Sequence, residues 1–389
     1  MPGPLDIGLV WHSDRHSNLG VGALTEGNVA LVREAARRVG VEPRFHLWQP
    51  ADPGAPYVEG MAGRHELRQA YLWRPGGYAR DIRRMDLLLD IGAGDSFTDV
   101  YPGRRFAMMI GTKLWARAAR VPLVLSPQTI GPFTRRAHTT LARGAIRCAT
   151  LVFARDAASL AEAHRLWPGG PHHLAADVAF ALPYRPQAKG PGIRVGVNVS
   201  GLLYSGGYSG RDEFGLEFDY RAFTHRLVDA LLAREGVTVE LLSHATSEGL
   251  ARDDDARAVA AVHERHPAAR PVPPFASPSE AKSYISGLDF LVGARMHATI
   301  AAFSARVPVV PVSYSRKFEG LFGSLGYRWL VPHRGMTTEA ALDFTLSAFA
   351  RRTELARDIE GGLARIDGLL SGYVERLARL LAGIATRRG

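Results

Sequence analysis

The chain has 389 residues, long for a single core, so two domains or more are expected. Hydrophobic residues make up 46% and charged residues 22%, an ordinary globular balance, and no apolar run approaches the roughly 18 residues of a membrane span. The net charge of +10 points to anionic substrates, or to an anionic surface that carries them; the basic residues are scattered and form no nucleic-acid-binding motif, so no nucleic-acid partner is expected.

Only four of the 48 basic residues are lysines (113, 189, 282 and 317), which makes each lysine worth separate attention. A single cysteine, Cys148, excludes a disulfide framework within the chain. The first residues, MPGPLDIGLVW, show no basic region followed by an apolar run. The expected location is therefore the cytoplasm, and any membrane association is peripheral, at the inner face.

Residues 7–11 read as a first strand, followed by a glycine-bearing loop and a helix over 29–39. Asn18, Gly20 and Gly22 in that loop are residues that let a backbone come close to a ligand. Their spacing is not the dinucleotide pattern G-x-G-x-x-G. Residues 43–47 form a second candidate strand, and 50–80 read as a long irregular excursion. Buried strands then follow at 85–91, 121–126 and 151–154, alternating with helices at 105–120 and 135–149. Each strand ends in polar or glycine residues: Gly94, Asp95 and Ser96; Gln128 and Gly131; Arg155. In a doubly wound sheet those tips share one rim, where ligands bind.

A linker-like stretch, 183–192, precedes a restart of the same pattern. Strand 193–199 ends at Ser200, and strand 237–242 ends at Ser243 and His244. Asp253, Asp254 and Asp255 open a helix over 256–265, where acidic residues suit the helix dipole. Strand 290–292 leads to Arg295, His297 and a helix of small apolar residues over 298–304. Strand 307–312 leads to Tyr314 and Lys317, and a pair of helices runs from Thr337 to the end. Two tandem α/β halves imply a cleft between them. At the mouth of the featured helix Arg295 offers a fork for carboxylate or phosphate, His297 can move a proton near neutral pH, and Lys317 can neutralise a phosphate.

The blocks NLGVGAL, DIGAGDSFTD, LSPQTIGPF, FARDAAS, AADVAF, GARMHA and VPVVPVSYSRKFEGL, in that order, resemble the polysaccharide pyruvyl transferase family over nearly the whole chain. The resemblance implies two Rossmann-like doubly wound domains facing a cleft (GT-B-like), with C-terminal helices. Residues 1–185 are then the acceptor-side domain, 186–335 the donor-side domain and 336–389 the terminal helices. It implies transfer of pyruvate from phosphoenolpyruvate to two hydroxyls of a glycan sugar in cell-surface polysaccharide biosynthesis, with phosphate released and no metal or other cofactor. The acceptor sugar is free, nucleotide-linked, lipid-linked or polymeric. Arg295, His297 and Lys317 match the family's donor-site positions and are the expected catalytic residues. Asn18, Gly94, Asp95, Ser96, Gln128, Gly131, Arg155, Ser200, His244 and Tyr314 are the expected substrate-binding residues. Many members carry an acidic residue where this chain has Val21. Two other readings share the architecture: a nucleotide-sugar glycosyltransferase, using Asp212, Glu213 or Glu280 for a ribose, and a non-catalytic glycan-binding protein.

Overall fold

The computed structural model describes residues 3–74, 76–247 and 249–388. Packing divides the chain into two compact units, one of Met1–His16, Leu24–Ala181 and Ile366–Gly389, the other of Ser17–Ala23 and Leu182–Arg365.

The first unit is built on a seven-stranded sheet: β1 (Leu5–Val10), β2 (Pro43–Gln49), β3 (Met61–Glu66), β4 (Leu87–Asp90), β5 (Leu123–Gln128), β6 (Leu151–Ala154) and β7 (His172–Leu174). The spatial order is β3-β2-β1-β4-β5-β6-β7, and every pairing is parallel. Such strands are covered on both faces, which is why β1, β4 and β5 are buried along their whole length and read as continuous apolar runs. The chain direction across the sheet reverses between β1 and β4, the switch point at which ligands bind in sheets of this type.

Two expectations fail here. Residues 50–80 are not irregular: they contain β3 and two short helices, Gln69–Trp73 and Tyr78–Ile82. As an edge strand β3 needs no apolar run, and its polar sequence MAGRHE hides it. The first helix starts at Leu19 rather than near 29, so Gly20 and Gly22 lie inside it. Within the first unit Gly27 shows why glycine is tolerated there, because an added Cβ would stand 2.1 Å from the Val178 carbonyl oxygen.

The second unit carries five parallel strands: β8 (Ile193–Asn198), β9 (Val237–Leu242), β10 (Arg270–Pro271), β11 (Phe290–Gly293) and β12 (Val309–Pro311). Their order is β10-β9-β8-β11-β12, so a second switch point lies between β8 and β11. The linker is held to this unit by Lys282, a buried side chain whose Nζ donates to the Leu182 carbonyl at 2.9 Å and lies 4.6 Å from the Tyr184 ring. Burial pushes that ammonium down to about 7. Two helices, Thr338–Ala350 and Arg352–Arg388, end the chain. In the first unit the second of them presents Tyr373, which donates to Asn28 Oδ1 at 2.8 Å and stacks edge-on to Phe153.

Candidate active site

In the second unit β11 and β12 are neighbours, and each leads into a nine-residue helix, Met296–Ser304 and Arg316–Ser324. Neither N-cap residue, Arg295 or Ser315, gives its helix a side-chain capping bond. Five other helices of the same unit are capped in the ordinary way, by Ser200, Asp219, Asp254, Ser277 and Thr337. The two helices at the β11 and β12 tips thus turn positive dipole ends, uncapped by their own N-cap side chains, towards the strand tips. His297 sits half-buried in the first turn of one, and Lys317 is exposed in the first turn of the other.

Arg295, expected among the catalytic residues, stands at the N-cap of the first of these helices. Its guanidinium is buried and already engaged: Nε and Nη2 reach Asp255 Oδ1 at 3.0 and 2.7 Å, and Nη2 reaches Asp253 Oδ1 at 2.6 Å. Burial by itself would lower its pKa, but Asp255 and then Asp253 outweigh that and the net shift is upward. Asp255, wholly buried, also accepts from the backbone N–H groups of Gly201, His244 and Ala245 at 2.8, 3.0 and 3.0 Å. One carboxylate therefore ties together the ends of β8, β9 and β11. The acidic run does more than suit a helix dipole: Asp254 caps the helix, while Asp253 and Asp255 lock Arg295. Asn198 at the end of β8 completes the clamp, its Oδ1 accepting from the Arg295 N–H at 2.9 Å.

The segment Ser17–Ala23 belongs to this same unit. Asn18 and Ala245 form an antiparallel bridge, flanked by bonds from Leu19 N–H to the His244 carbonyl and from Thr246 N–H to the Ser17 carbonyl, 3.1 Å each. Asn18 Oδ1 then accepts from Gly20 N–H at 3.0 Å. This fold-back presses the Gly20 backbone against His297: a Cβ at position 20 would stand 2.3 Å from Nδ1 and 2.9 Å from Cγ of the imidazole. His244 lies buried beside them. Burial pushes its imidazole down to about 3, and the neighbouring His297 and Arg295 charges add to the shift, so His244 is neutral. Tyr314 packs edge-on to Phe214 at 5.0 Å, near enough to Arg295 to act on its charge. Ser200 is a helix cap rather than an open hydroxyl, its Oγ accepting from Leu203 N–H at 3.4 Å.

The remaining expected residues lie in the first unit. Gly94 has a positive φ of 87°, and a side chain there would meet Leu24 Cδ1 at 2.7 Å and Arg155 Nη1 at 3.7 Å. Arg155 is committed to the buried Asp177 at 2.9 Å. Gln128 donates to the carbonyls of Asp90 and Ser126 at 2.7 and 3.2 Å, pinning the β4 and β5 tips, while Asp95 accepts from Tyr101. Among the described residues, Ser96 Oγ and Gln128 Oε1 are buried and find no hydrogen-bond partner. Gly131 precedes a cis proline, Pro132. Lys113, one of the four lysines, is a buried partner of Asp90 at 2.9 Å.

His12 escaped the sequence reading because a lone histidine after an apolar strand carries no motif. It is fully buried, with Nδ1 3.1 Å from the Val10 carbonyl and Nε2 2.9 Å from Asn28 Nδ2, and burial pushes it down to about 3. The three carboxylates suggested for a ribose each accept backbone bonds in their own loops, Asp212 from Leu216 N–H at 3.3 Å. Glu213 holds the N–H groups of Tyr208 and Ser209, and Glu280 that of Ala276. Among the described residues no group of three or more His, Cys, Asp or Glu side chains is placed to hold a metal ion, and no helix is long and apolar enough to cross a membrane.

A family model described as polysaccharide pyruvyl transferase matches residues 29–316. A search of curated proteins found no match. Among solved structures, trehalose-6-phosphate synthase from Burkholderia multivorans is 12% identical with a TM-score of 0.55, covering 100% of this chain and 99% of its own. The UDP-GlcNAc 2-epimerase of Neisseria meningitidis bound to UDP-GlcNAc is 8% identical with a TM-score of 0.52, covering 98% and 100%. That of Methanocaldococcus jannaschii is 7% identical with a TM-score of 0.53, covering 88% and 92%. Likeness at this identity speaks to fold alone, and it agrees with the expected one: two parallel-sheet α/β domains of GT-B-like kind with C-terminal helices.

Proposed function

The chain belongs to the polysaccharide pyruvyl transferase family, and from that footing we propose that it transfers pyruvate from phosphoenolpyruvate to two hydroxyls of a glycan sugar, releasing phosphate and leaving a cyclic ketal. The observation that carries the reading is the pair of uncapped helix N-termini at the β11 and β12 tips, with His297 and Lys317 in their first turns. Phosphoenolpyruvate brings a carboxylate and a phosphate together, and two adjacent dipole ends with a lysine suit both charges.

The reaction needs one acid. His297 gives a proton to the methylene carbon of the donor, and an oxocarbenium-like centre develops at the adjacent carbon. One sugar hydroxyl adds there. A second hydroxyl displaces phosphate, breaking the carbon–oxygen bond to it. Two hydroxyl protons are released in all; one restores His297 and the other leaves on phosphate. Lys317 and the first-turn amides stabilise the departing charge. Arg295 serves as a positioning residue, holding the β11 tip and the start of the His297 helix through Asp255. No metal or redox cofactor enters these steps. The acceptor is a sugar in free, nucleotide-linked, lipid-linked or polymeric form.

Phosphate release is measured with phosphoenolpyruvate and a panel of acceptor glycans. His297→Ala and Lys317→Ala should each abolish it while leaving the melting curve unchanged. Near-normal turnover in either variant would remove that residue from the mechanism.

A further inference from the structure

The 55 residues from Val100 to Ala154 contain eight arginines and no aspartate or glutamate. They include two helices, Gly103–Ala118 and Arg136–Ile146, which follow β4 and β5. Successive right-handed crossovers in one direction along the sheet put both helices on the same face, and they pack against each other. Their outward sides carry Arg104, Arg117, Arg136 and Arg143, with Arg147 just beyond, all exposed. Among the described residues none of the eight arginines pairs with a carboxylate, so their charge is not offset locally as it is in Arg226–Glu339, Arg306–Glu360 and Arg379–Glu375. The lone lysine of the stretch, Lys113, is buried against Asp90 and adds nothing outside.

Large apolar side chains flank these arginines: Leu114 falls between Arg104 and Arg117 around its helix, and Leu141 lies on the flank of its helix away from Arg136 and Arg143. Leu114 and Leu141 are 44% and 48% exposed, one on each helix. Trp73, 46% exposed, lies over the first of them, where its ring covers Gly111. A groove reader of nucleic acid has little use for exposed leucines and a tryptophan beside its cations. A bilayer uses both, taking apolar side chains below the headgroups while arginines meet the phosphates. We propose that this helical face docks the protein on a membrane surface rich in anionic lipid. The inference stands apart from the transfer reaction, since none of these residues belongs to the site in the second unit.

The full chain is tested by co-sedimentation with phosphatidylcholine vesicles, with or without about one-third phosphatidylglycerol. Binding to the anionic vesicles and not to the neutral ones is expected, weakening as salt is raised. The triple variant R136Q/R143Q/R147Q should bind at least about a hundredfold more weakly, at roughly a factor of five per arginine. L114N/L141N should also weaken binding, with a smaller change in salt dependence. R226Q/R306Q/R379Q, which removes the same net charge elsewhere, should bind like the parent. Equal binding by the two triple variants would overturn the assignment of this face, and absence of binding to anionic vesicles at low salt would overturn docking itself. Tighter binding to a DNA duplex than to the vesicles, lost in the first triple variant, would reassign the face to nucleic acid.

Discussion

Replacing Gly20 by alanine tests the proton donor without touching it. A methyl group at position 20 would stand 2.3 Å from His297 Nδ1, against about 3.4 Å for an ordinary contact, so the ring must retreat by about 1 Å. A displacement of that size at a reacting group is worth about a hundredfold in rate, about 2.7 kcal/mol of barrier. The fold should not suffer. Gly20 lies within the helix Leu19–Arg38 without a positive φ, and alanine is favoured over glycine in helices by up to about 1 kcal/mol. The variant is therefore expected to melt at the parent temperature or slightly above, while phosphate release from phosphoenolpyruvate falls about a hundredfold. Added to His297→Ala the substitution should cost nothing more, because both act through one imidazole. Turnover in Gly20→Ala within threefold of the parent would refute the reasoning, since about 1 Å would then not matter to the group held there.

Removing the Asp255 carboxylate should unfold rather than merely slow the protein. Asp255→Ala leaves Arg295 buried with half its countercharge and strands three backbone N–H groups, a loss of about 3–5 kcal/mol that a urea midpoint would register. Arg155→Ala should likewise destabilise the first unit by about 3–5 kcal/mol by leaving the buried Asp177 unpaired, without a specific rise in KM for phosphoenolpyruvate. Acid should weaken the fold through His12 and His244, each shifted from 6.5 to about 3 by burial. Between those values the unfolded chain binds more protons, so their contribution is complete above pH 6.5 and lost as pH falls towards 3, about 2 kcal/mol each by pH 5. His12→Gln should flatten the stability slope between pH 7 and 5 whatever its stability at pH 7; an unchanged slope would show that His12 titrates normally.

What could be read from the sequence follows from where each segment lies. Central strands such as β4 and β11 have water on neither face, so they are short unbroken apolar runs and are easily seen. Edge strands lack that signature: β3 is half-exposed, and β10 is only the pair Arg270–Pro271, both exposed. The glycines near Asn18 suggested a ligand loop, but Gly20 is small for the sake of a histidine 277 positions later, which no local pattern encodes. The first-turn positions of His297 and Lys317 are legible because each follows an apolar strand at a strand-to-helix turn. The commitment of Arg295 is not, since its partners Asp253 and Asp255 are about 40 residues away and look like ordinary first-turn acids.

The central claim concerns the donor, and it is tested most directly by following phosphorus and carbon together. The purified chain is incubated with carbon-labelled phosphoenolpyruvate and the acceptor panel, and nuclear magnetic resonance follows free phosphate and the labelled methyl group. The account predicts phosphate and a ketal-bound methyl signal rising in equal amounts, only with acceptor present and not with His297→Ala. Transfer of a sugar from a nucleotide donor, with phosphoenolpyruvate left intact by every acceptor, would contradict it.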